Sequence, residues 1–495
     1  MQRQNVNSRT IRILLSGLQA FVELIEELRV RSGNARKIGR EAYKEVLIWL
    51  AGTYSLSILL TAFIVKAAPG YEILLIALSI ILPPAAYVTI WYLRALNYSA
   101  RVLTELEYFI ISLGLSQGTD VELGRDVVEL GGSWRKYAST IFPALLKFSD
   151  RLTALSTVFG IMESLRIMSE KFSTKLRRTF SEYLTAYSMG LGGVWITDSL
   201  RYYTRTLKER ARDAVKARIV FSVALSALIG YVPPIASLMT NLIGRSAISY
   251  AIALMLILIP VGIASVPKLP RHMIHLGNKR SKLEGTLFLI GIILLFTGIL
   301  LLSKPVLLAS ALTLILSGII WLKELSGALK ELHSLNNVIK AISEIPLLTV
   351  GNINRLRAYL ESVGGTLSSF PRGRCNEYHY WITCFTDFTI SNLFSQGDVR
   401  RETLILLKDV VESMIADIRK LIITGAGLAV VSIGITFLLL STTQLLLSVD
   451  KLLIRYLIAS SAALGIFVSK AGFDRICSGL VPGLSLMILI GGGMI

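Results

Sequence analysis

The sequence is poor in charge, in cysteine and in catalytic motifs, and each shortage excludes a class of protein. Only 17% of the 495 residues are charged and 53% are hydrophobic, whereas about 25% of residues are charged in soluble domains. This composition excludes a soluble enzyme and a disordered chain. Three cysteines, Cys375, Cys384 and Cys477, are too few for the disulfide framework of a secreted scaffold. The composition is typical of a polytopic membrane protein.

Motifs for enzymatic chemistry are also missing. The chain has no G-x-x-x-x-G-K-[ST] loop, H-E-x-x-H, G-x-S-x-G or G-x-G-x-x-G. Cys375, His379 and Cys384 could supply three metal ligands, but a fourth is missing, so ordinary buried cysteines are favoured over zinc. His272 and His275 are interpreted as a solvated face. We therefore expect no enzyme activity, no cofactor and no nucleotide site of the chain's own.

Nine apolar segments approach the roughly 20 residues that a helix needs to cross a hydrocarbon core of about 30 Å. No Asp, Glu, Lys, Arg or His lies near the middle of any of them, which argues against an ion-driven transporter. The last segment ends in Gly491–Gly493 and could instead be an interfacial or re-entrant tail. The predicted spans are 46–65, 71–93, 219–239, 248–266, 286–302, 306–322, 421–440, 453–468 and 480–495.

Two of these spans contain proline pairs. Pro83 and Pro84 lie in the second predicted span, and Pro233 and Pro234 lie in the third. Because proline lacks an N–H and its ring crowds the preceding turn, each pair is a candidate membrane kink. Such a kink could act as a hinge or shape a cavity, but a fixed bend that packs against neighbouring helices is favoured.

Lysine and arginine predict the orientation of the spans. With the N-terminus inside, 47 of the 52 basic residues fall on inside segments and five on outside turns. The sequence thus predicts a multi-pass protein of the cytoplasmic membrane with a cytoplasmic N-terminus. The net charge of +19 follows this topology and does not indicate nucleic-acid binding. All three cysteines fall on the cytoplasmic side, where thiols stay reduced.

The predicted fold is an all-α polytopic membrane protein with two cytoplasmic helical-bundle domains. Each domain ends in a charged stretch, 201–218 or 400–420, that lacks glycine and proline and runs directly into a span. This similarity indicates a degenerate internal repeat, with coincidence between helical segments as the alternative. The amphipathic N-terminal segment (1–45) is expected to pack on its own cytoplasmic domain, with a partner-binding arm as the alternative. The predicted regions are this segment, a transmembrane hairpin (46–93), the first cytoplasmic domain (94–218), four spans with a basic inside loop at 267–285 (219–322), the second cytoplasmic domain (323–420) and the C-terminal spans (421–495).

Several short motifs follow one another in the first domain. They are Leu106-Glu-Tyr-Phe-Ile110, Ile141-Phe-Pro143, Phe159-Gly-Ile-Met-Glu-Ser-Leu165, Tyr183-Leu-Thr-Ala-Tyr187 and Gly192-Gly193. In this order and spacing, residues 95–245 resemble the F domain of the platform proteins of type IV pilus, type II secretion and archaellum machines, in particular their archaeal branch. Residues 335–440 resemble it more weakly, through Ser395-Gln-Gly-Asp-Val399 and the charged stretch that follows.

The resemblance implies a function without catalysis. Platform proteins engage a hexameric secretion ATPase and present pilin or archaellin subunits to a growing filament, and a homodimer would suit docking on the ATPase ring. Positive-inside bias and attraction to anionic membrane lipids explain most of the basic charge, so ATPase docking is the alternative interpretation for it. The candidate ATPase-docking residues are Lys175, Arg177, Arg178, Arg205, Lys208, Arg210, Arg212, Arg400, Arg401 and Lys408.

Two rival functions stay open. The main one is a multi-span permease or exporter subunit driven by a separate ATPase, which proline-lined cavities would suit. The two large helical domains and the uncharged span centres argue against it. The other is a membrane-bound enzyme that acts on lipid-linked substrates, but no convincing cluster of acidic or histidine residues occurs at a membrane face.

Overall fold

A computed structural model describes most of the chain as helix. No β-strand occurs among the described residues, and His275 and Tyr380 form an isolated antiparallel bridge. The chain divides into two compact units, Met1–Ser199 and Leu200–Ile495. The described residues are 21–29, 31–32, 46, 48–49, 54–55, 72–116, 122–172, 174–243, 262, 265–276, 281–344, 375, 378–395, 401–445, 451–475 and 478–492.

The first unit is built from one long helix and a series of shorter ones. A helical segment at 21–29 packs its apolar face, including Val22 and Ile25, on Tyr87 and Trp91 of the long helix. The described part of the N-terminal segment thus contacts the long helix within the second predicted span, 71–93. The helices are α1 (Glu72–Ser116), α2 (Leu123–Gly131), α3 (Arg135–Ile141), α4 (Pro143–Phe159), α5 (Ile161–Glu170), α6 (Thr174–Ser188) and the start of α7 (Gly192–Ile243).

A buried carboxylate fixes the start of α4. Pro143 occupies the first turn, where its missing N–H does no harm. The fully buried Glu105 of α1 accepts hydrogen bonds from the backbone N–H groups of Ala144 at 2.8 Å and Leu145 at 2.7 Å. These are donors that a helix N-terminus leaves without an intrahelical partner. A side chain of α1 therefore sets the position of α4.

The second unit continues α7 and adds a bundle of long apolar helices. A 3₁₀ turn at Arg271–Met273 precedes them. In the apolar 18-residue stretch of Ile454–Phe473, 72% of the residues are buried within the structure, against 28% in that of Lys282–Leu301, so the former is a central helix of the bundle. The helices are α8 (Ser281–Leu301), α9 (Lys304–Glu344), α10 (Trp381–Ser395), α11 (Arg401–Leu445), α12 (Lys451–Phe473) and α13 (Leu480–Gly491).

Four helices of the described chain are long and apolar enough to cross a membrane. They are Lys282–Leu301, Lys304–Glu344, Glu402–Ser441 and Ile454–Phe473, and they coincide with the predicted spans 286–302, 306–322, 421–440 and 453–468. The chain is therefore described as a membrane protein. The predicted spans 71–93 and 219–239 fall largely within α1 and α7, while 46–65 and 248–266 lie mostly outside the described residues.

The ninth predicted span is a short helix. At 12 residues, α13 is about 18 Å long, which is less than the roughly 30 Å of a hydrocarbon core. It packs closely on its neighbours: a Cβ at Gly318 of α9 would lie 2.5 Å from the Leu480 backbone, and one at Gly465 of α12 would lie 2.5 Å from the nitrogen of Pro482. A short helix at membrane depth is tolerated where protein covers it. The re-entrant alternative therefore fits α13 better than a full span.

Candidate functional site

The helical domain of the first unit has two ends, which are distinguished by their contacts. At one end the Tyr98 hydroxyl donates to the carbonyl oxygen of Ala144 at 3.3 Å, and the Tyr98 ring lies 6.0 Å from that of Phe172. Burial raises the pKa of Tyr98 to about 12, so its hydroxyl remains a donor. Tyr98 follows the predicted span 71–93 by five residues. We call this the proximal end, because it lies beside the predicted membrane segment of α1.

The opposite end, which we call the distal end, contains the start of α2 and the turns before α5 and α7. The Tyr183 hydroxyl accepts a hydrogen bond from the Leu123 backbone N–H at 2.8 Å, and the Tyr187 hydroxyl donates to Glu122 at 3.1 Å. A Cβ at Gly124 would lie 2.7 Å from Ile161 at the start of α5. Because α4 and α6 both run from the proximal to the distal end, the two ends are separated by about 20–25 Å.

The first group of predicted docking residues lies at the proximal end. Lys175, Arg177 and Arg178 occupy the first turns of α6, just after Phe172, and all three are exposed. Arg178 forms an ion pair at 2.7 Å with Glu182 one turn further along the same helix. The group therefore lies beside the predicted membrane segment, where attraction to anionic headgroups explains basic charge.

The second group lies on the charged part of α7, in the second unit. Its four members are exposed, whereas Tyr203, Leu207 and Ala211, spaced four residues apart on the same helix, are buried. Arg205 pairs at 3.1 Å with Glu209. This face reaches to within about 10–20 Å of the predicted span 219–239 along the helix axis. Its members are Arg205, Lys208, Arg210 and Arg212.

The remaining predicted residues are only partly described. Arg400 lies outside the described residues, as does the side chain of Arg401, which begins α11, while Lys408 is half-buried on the same helix. α1 continues through Pro83 and Pro84, and α7 through the positions of Pro233 and Pro234. The role of these prolines as kinks stays a prediction.

Sequence reasoning missed an exposed apolar group at the distal end. Val158 and Phe159 precede Gly160 in the α4–α5 turn, while Met189 and Leu191 flank Gly190 in the turn before α7. The sequence contains a signal for this exposed group, because large apolar residues stand directly beside glycines that form turns. Residues in such a turn have few neighbours to cover them. In the sequence, Phe159-Gly160 stands out only as part of the motif that resembles the F domain.

In the second unit a buried arginine joins three segments. Arg218 is 1% exposed. Its guanidinium donates to the carbonyl oxygens of Pro267 at 2.7 Å, Lys470 at 3.3 Å and Ala471 at 3.0 Å, and to the Asp474 carboxylate at 2.9 Å. The charged part of α7 is thereby attached to the loop before the 3₁₀ turn and to the C-terminal end of α12.

A second buried group links the start of α8 to the middle of α9. Arg475 lies 3.2 Å from the carboxylate of Glu284 and 3.0 Å from that of Glu324. Both glutamates are largely buried, and two carboxylates share one guanidinium. Arg218 bonds to residues 470, 471 and 474 at the end of α12, and Arg475 follows directly after them. The two arginines therefore lie at the same end of the bundle.

Glu331 organises a third polar group around the start of α10. Its carboxylate accepts hydrogen bonds from the backbone N–H groups of His379 at 2.8 Å and Tyr380 at 3.2 Å and from the Thr383 hydroxyl at 2.6 Å. The inside loop joins the same place, because the Trp381 N–H donates to the carbonyl oxygen of Ile274 at 3.2 Å. The predicted second domain and the loop 267–285 are therefore in direct contact.

The solvated-face interpretation of the two loop histidines is wrong. His272 is 1% exposed and lies 3.4 Å from the Asp417 carboxylate of α11. His275 is half-buried in the bridge to Tyr380, and burial, with the charges of Arg475 and His379, lowers its pKa to about 4. These contacts join residues more than 90 positions apart, which local sequence pattern does not indicate.

The expectation of reduced cysteines is also wrong for one pair. Cys375 and Cys384 are buried and joined by a disulfide, with their Cα atoms 5.1 Å apart. The short turn that precedes α10 brings the two Cβ atoms together, which the spacing of nine residues alone does not require. Cys477 lies outside the described residues. Within the described residues no group of three or more His, Cys, Asp or Glu side chains is arranged to hold a metal ion.

The polar groups of the second unit join segments that the charge count assigns to one side of the membrane. They involve the end of the stretch 201–218, the loop 267–285, the residues after the sixth predicted span, and the segment 469–479. Their meeting at one end of the bundle agrees with alternating hairpins. Comparison of the chain with protein-family models, curated proteins and solved structures finds no match.

Proposed function

We propose that the protein is a membrane platform of a type IV pilus-like, archaellum or type II secretion-like assembly machine. In this proposal it lies in the cytoplasmic membrane with its N-terminus inside and couples a hexameric ATPase to the insertion of pilin-like subunits into a filament. The proposal includes the remaining predicted spans and two cytoplasmic helical domains. It rests on the F-domain resemblance of residues 95–245 together with the observation that follows.

The observation that supports the proposal most is the continuity of four long helices. Each of α7, α9 and α11 combines an apolar part that contains a predicted span with a charged, amphipathic part outside it, and α1 continues from its predicted span into a buried helix of the first predicted domain. α1 and α7 flank the first predicted domain, and α9 and α11 flank the second. Within the second unit, the charged part of α7 at 201–218 is about 27 Å long and leads directly into the predicted span 219–239, so a displacement along it would reach that span.

The attachment of α7 to the bundle adds a second line of support. A machine that transmits work from a partner needs its moving element held firmly where that element meets the membrane part. Arg218 provides such a joint, because one side chain hydrogen-bonds to three backbone carbonyls and a carboxylate from two other segments.

Affinity purification of the tagged full-length protein from native membranes in mild detergent tests the proposal. We expect mass spectrometry to find a hexameric secretion ATPase and pilin-like subunits, both missing from a parallel purification of an unrelated tagged membrane protein. Recovery of a nucleotide-binding ABC subunit would overturn the proposal in favour of the exporter. Recovery of neither partner, with solute uptake by reconstituted vesicles, would do the same.

A further inference from the structure

The helical domain of the first unit exposes its large apolar residues at one place. Between residues 97 and 199 all the other large hydrophobic side chains of the described chain are buried or half-buried. Val158 is 73% exposed and Met189 is 68% exposed, and the other three members are at least half exposed. Single exposed apolar residues are common, but a group at one end of a domain marks an interaction surface. The five members of this distal surface are Val158, Phe159, Met189, Leu191 and Val194.

The surface is preformed. Gly160 at φ 77° and Gly190 at φ 74° form its two turns in a conformation that other residues rarely adopt. Beneath it, the ring of Trp195 at the start of α7 lies 5.3 Å from that of Tyr183, whose hydroxyl is bonded to the start of α2. The apolar side chains are thus presented on a packed support, which lowers the entropic cost of binding.

The charges around the distal surface are predominantly acidic. Arg125 pairs at 3.6 Å with Glu129, and Arg166 pairs at 2.7 Å with Glu163. Two exposed carboxylates, those of Glu122 and Asp198, stand outside these pairs. Arg201 is exposed one turn after Asp198 on the same helix, so the net negative charge of the rim is small, although the chain as a whole carries +19. A partner whose apolar contact residues are surrounded by lysine and arginine would be complementary.

Position and charge together argue against lipid as the occupant. The distal end lies about 20–25 Å from the proximal end, which is the one beside the predicted membrane segment of α1. Anionic headgroups attract basic surfaces, whereas the rim here is acidic. A soluble protein is the occupant that both observations favour.

We propose that the distal surface docks a soluble protein through an apolar contact patch ringed by basic residues. This inference rests on the proposed function, under which the partner is the hexameric secretion ATPase. It changes the location of docking from the basic residues predicted by sequence, of which Lys175, Arg177 and Arg178 lie at the proximal end, to the five apolar residues of the distal surface. It also changes the expected salt dependence, because apolar burial supplies most of the affinity and the acidic rim only part of it.

The test is titration of the secretion ATPase against the full-length protein in phosphatidylcholine nanodiscs. We expect Phe159→Asp combined with Met189→Asp to weaken binding by tenfold or more. Lys175→Glu combined with Arg177→Glu, the matched pair at the proximal end, is expected to change binding less than twofold. Asp198→Lys is expected to weaken binding about threefold at low salt and not at high salt, since only the rim charge changes.

All five altered side chains are exposed, so equal thermal unfolding midpoints check that the fold is kept. Unchanged binding of the distal variant, together with loss in the proximal variant, would overturn this inference and leave the platform function standing. Absence of ATPase binding by the wild-type protein would overturn both. A photo-crosslinker at position 189 gives an independent result: crosslinks to the ATPase support the inference, whereas crosslinks to lipid or to a second copy of this chain contradict it.

Discussion

Replacement of Arg218 by methionine tests how firmly α7 is attached to the bundle. Methionine keeps an unbranched side chain of similar length but removes all the donors, so four hydrogen bonds are lost. The Asp474 carboxylate keeps its ion pair with Lys470 at 2.8 Å, so its charge is not left without a partner. The loss therefore falls on the three carbonyl oxygens and the Arg218–Asp474 contact.

The magnitude follows from these contacts. Hydrogen bonds to charged groups contribute about 1.5–3 kcal/mol each, and four would give roughly 6–12 kcal/mol. Burial of the guanidinium costs several kcal/mol, which the methionine variant does not incur, so most of that sum is offset. We expect Arg218→Met to lower the free energy of unfolding by about 3 kcal/mol.

The measurement is reversible unfolding of the purified protein in mixed micelles, with Arg212→Met as the control. Arg212 is exposed on the same helix, six residues earlier, so its replacement is expected to change the free energy of unfolding by no more than about 0.5 kcal/mol. If Arg218→Met and Arg212→Met are equally mild, the buried joint is not a firm attachment. The physical support that it gives to the platform proposal would then be lost.

Three further predictions concern single groups. Glu105→Ala removes the acceptor for two N–H groups of α4 and is expected to destabilise the first unit by about 2–4 kcal/mol in thermal unfolding, whereas Glu163→Ala at an exposed ion pair is expected to leave the unfolding midpoint almost unchanged. Gly160→Ala places a Cβ at φ 77° and is expected to cost about 1–3 kcal/mol, although space there is open, so an unchanged midpoint would contradict the backbone assignment. The pKa of His275 is about 4 in the fold, below its ordinary value of 6.5, so as the pH falls the unfolded chain binds the proton first. The contribution of His275 to stability should be constant above pH 6.5 and fall by up to about 3 kcal/mol as the pH drops to 4. In pH-dependent unfolding, His275→Gln should remove that part of the loss.

The positions of the long apolar helices were the part of the structure that the sequence predicted best. A span of about 20 residues is a local property of the chain, so four predicted spans coincide with four apolar helices. The ninth prediction was less accurate, because composition alone does not show where a helix ends. Gly479 before α13 and Gly491 at its end leave only 12 helical residues between the flanking segments.

Buried charge was the part that sequence predicted least. Glu105, Arg218 and His272 each belong to residue types that are often exposed, and their partners lie far away in the chain. Arg218 and Asp474 are 256 residues apart, and the pairing exists only once the bundle has formed. A pattern along one segment contains no information about such a partner. The local pattern therefore predicts a solvated face for His272 and no role for Glu105 or Arg218.

The basic residues predicted for docking and the apolar distal surface inferred for docking differ in the reason for which each is present. Lys175 and Arg177 lie at the proximal end, where the membrane accounts for their charge whether or not a partner binds. Exposed Val158 and Met189 have no such explanation, since apolar side chains in water gain nothing until something covers them. Because salt screens charges over about 10 Å at 0.1 M and less at higher concentration, docking through the basic residues would fail as salt rises. Docking through the distal surface would persist, and a single salt titration therefore separates the two.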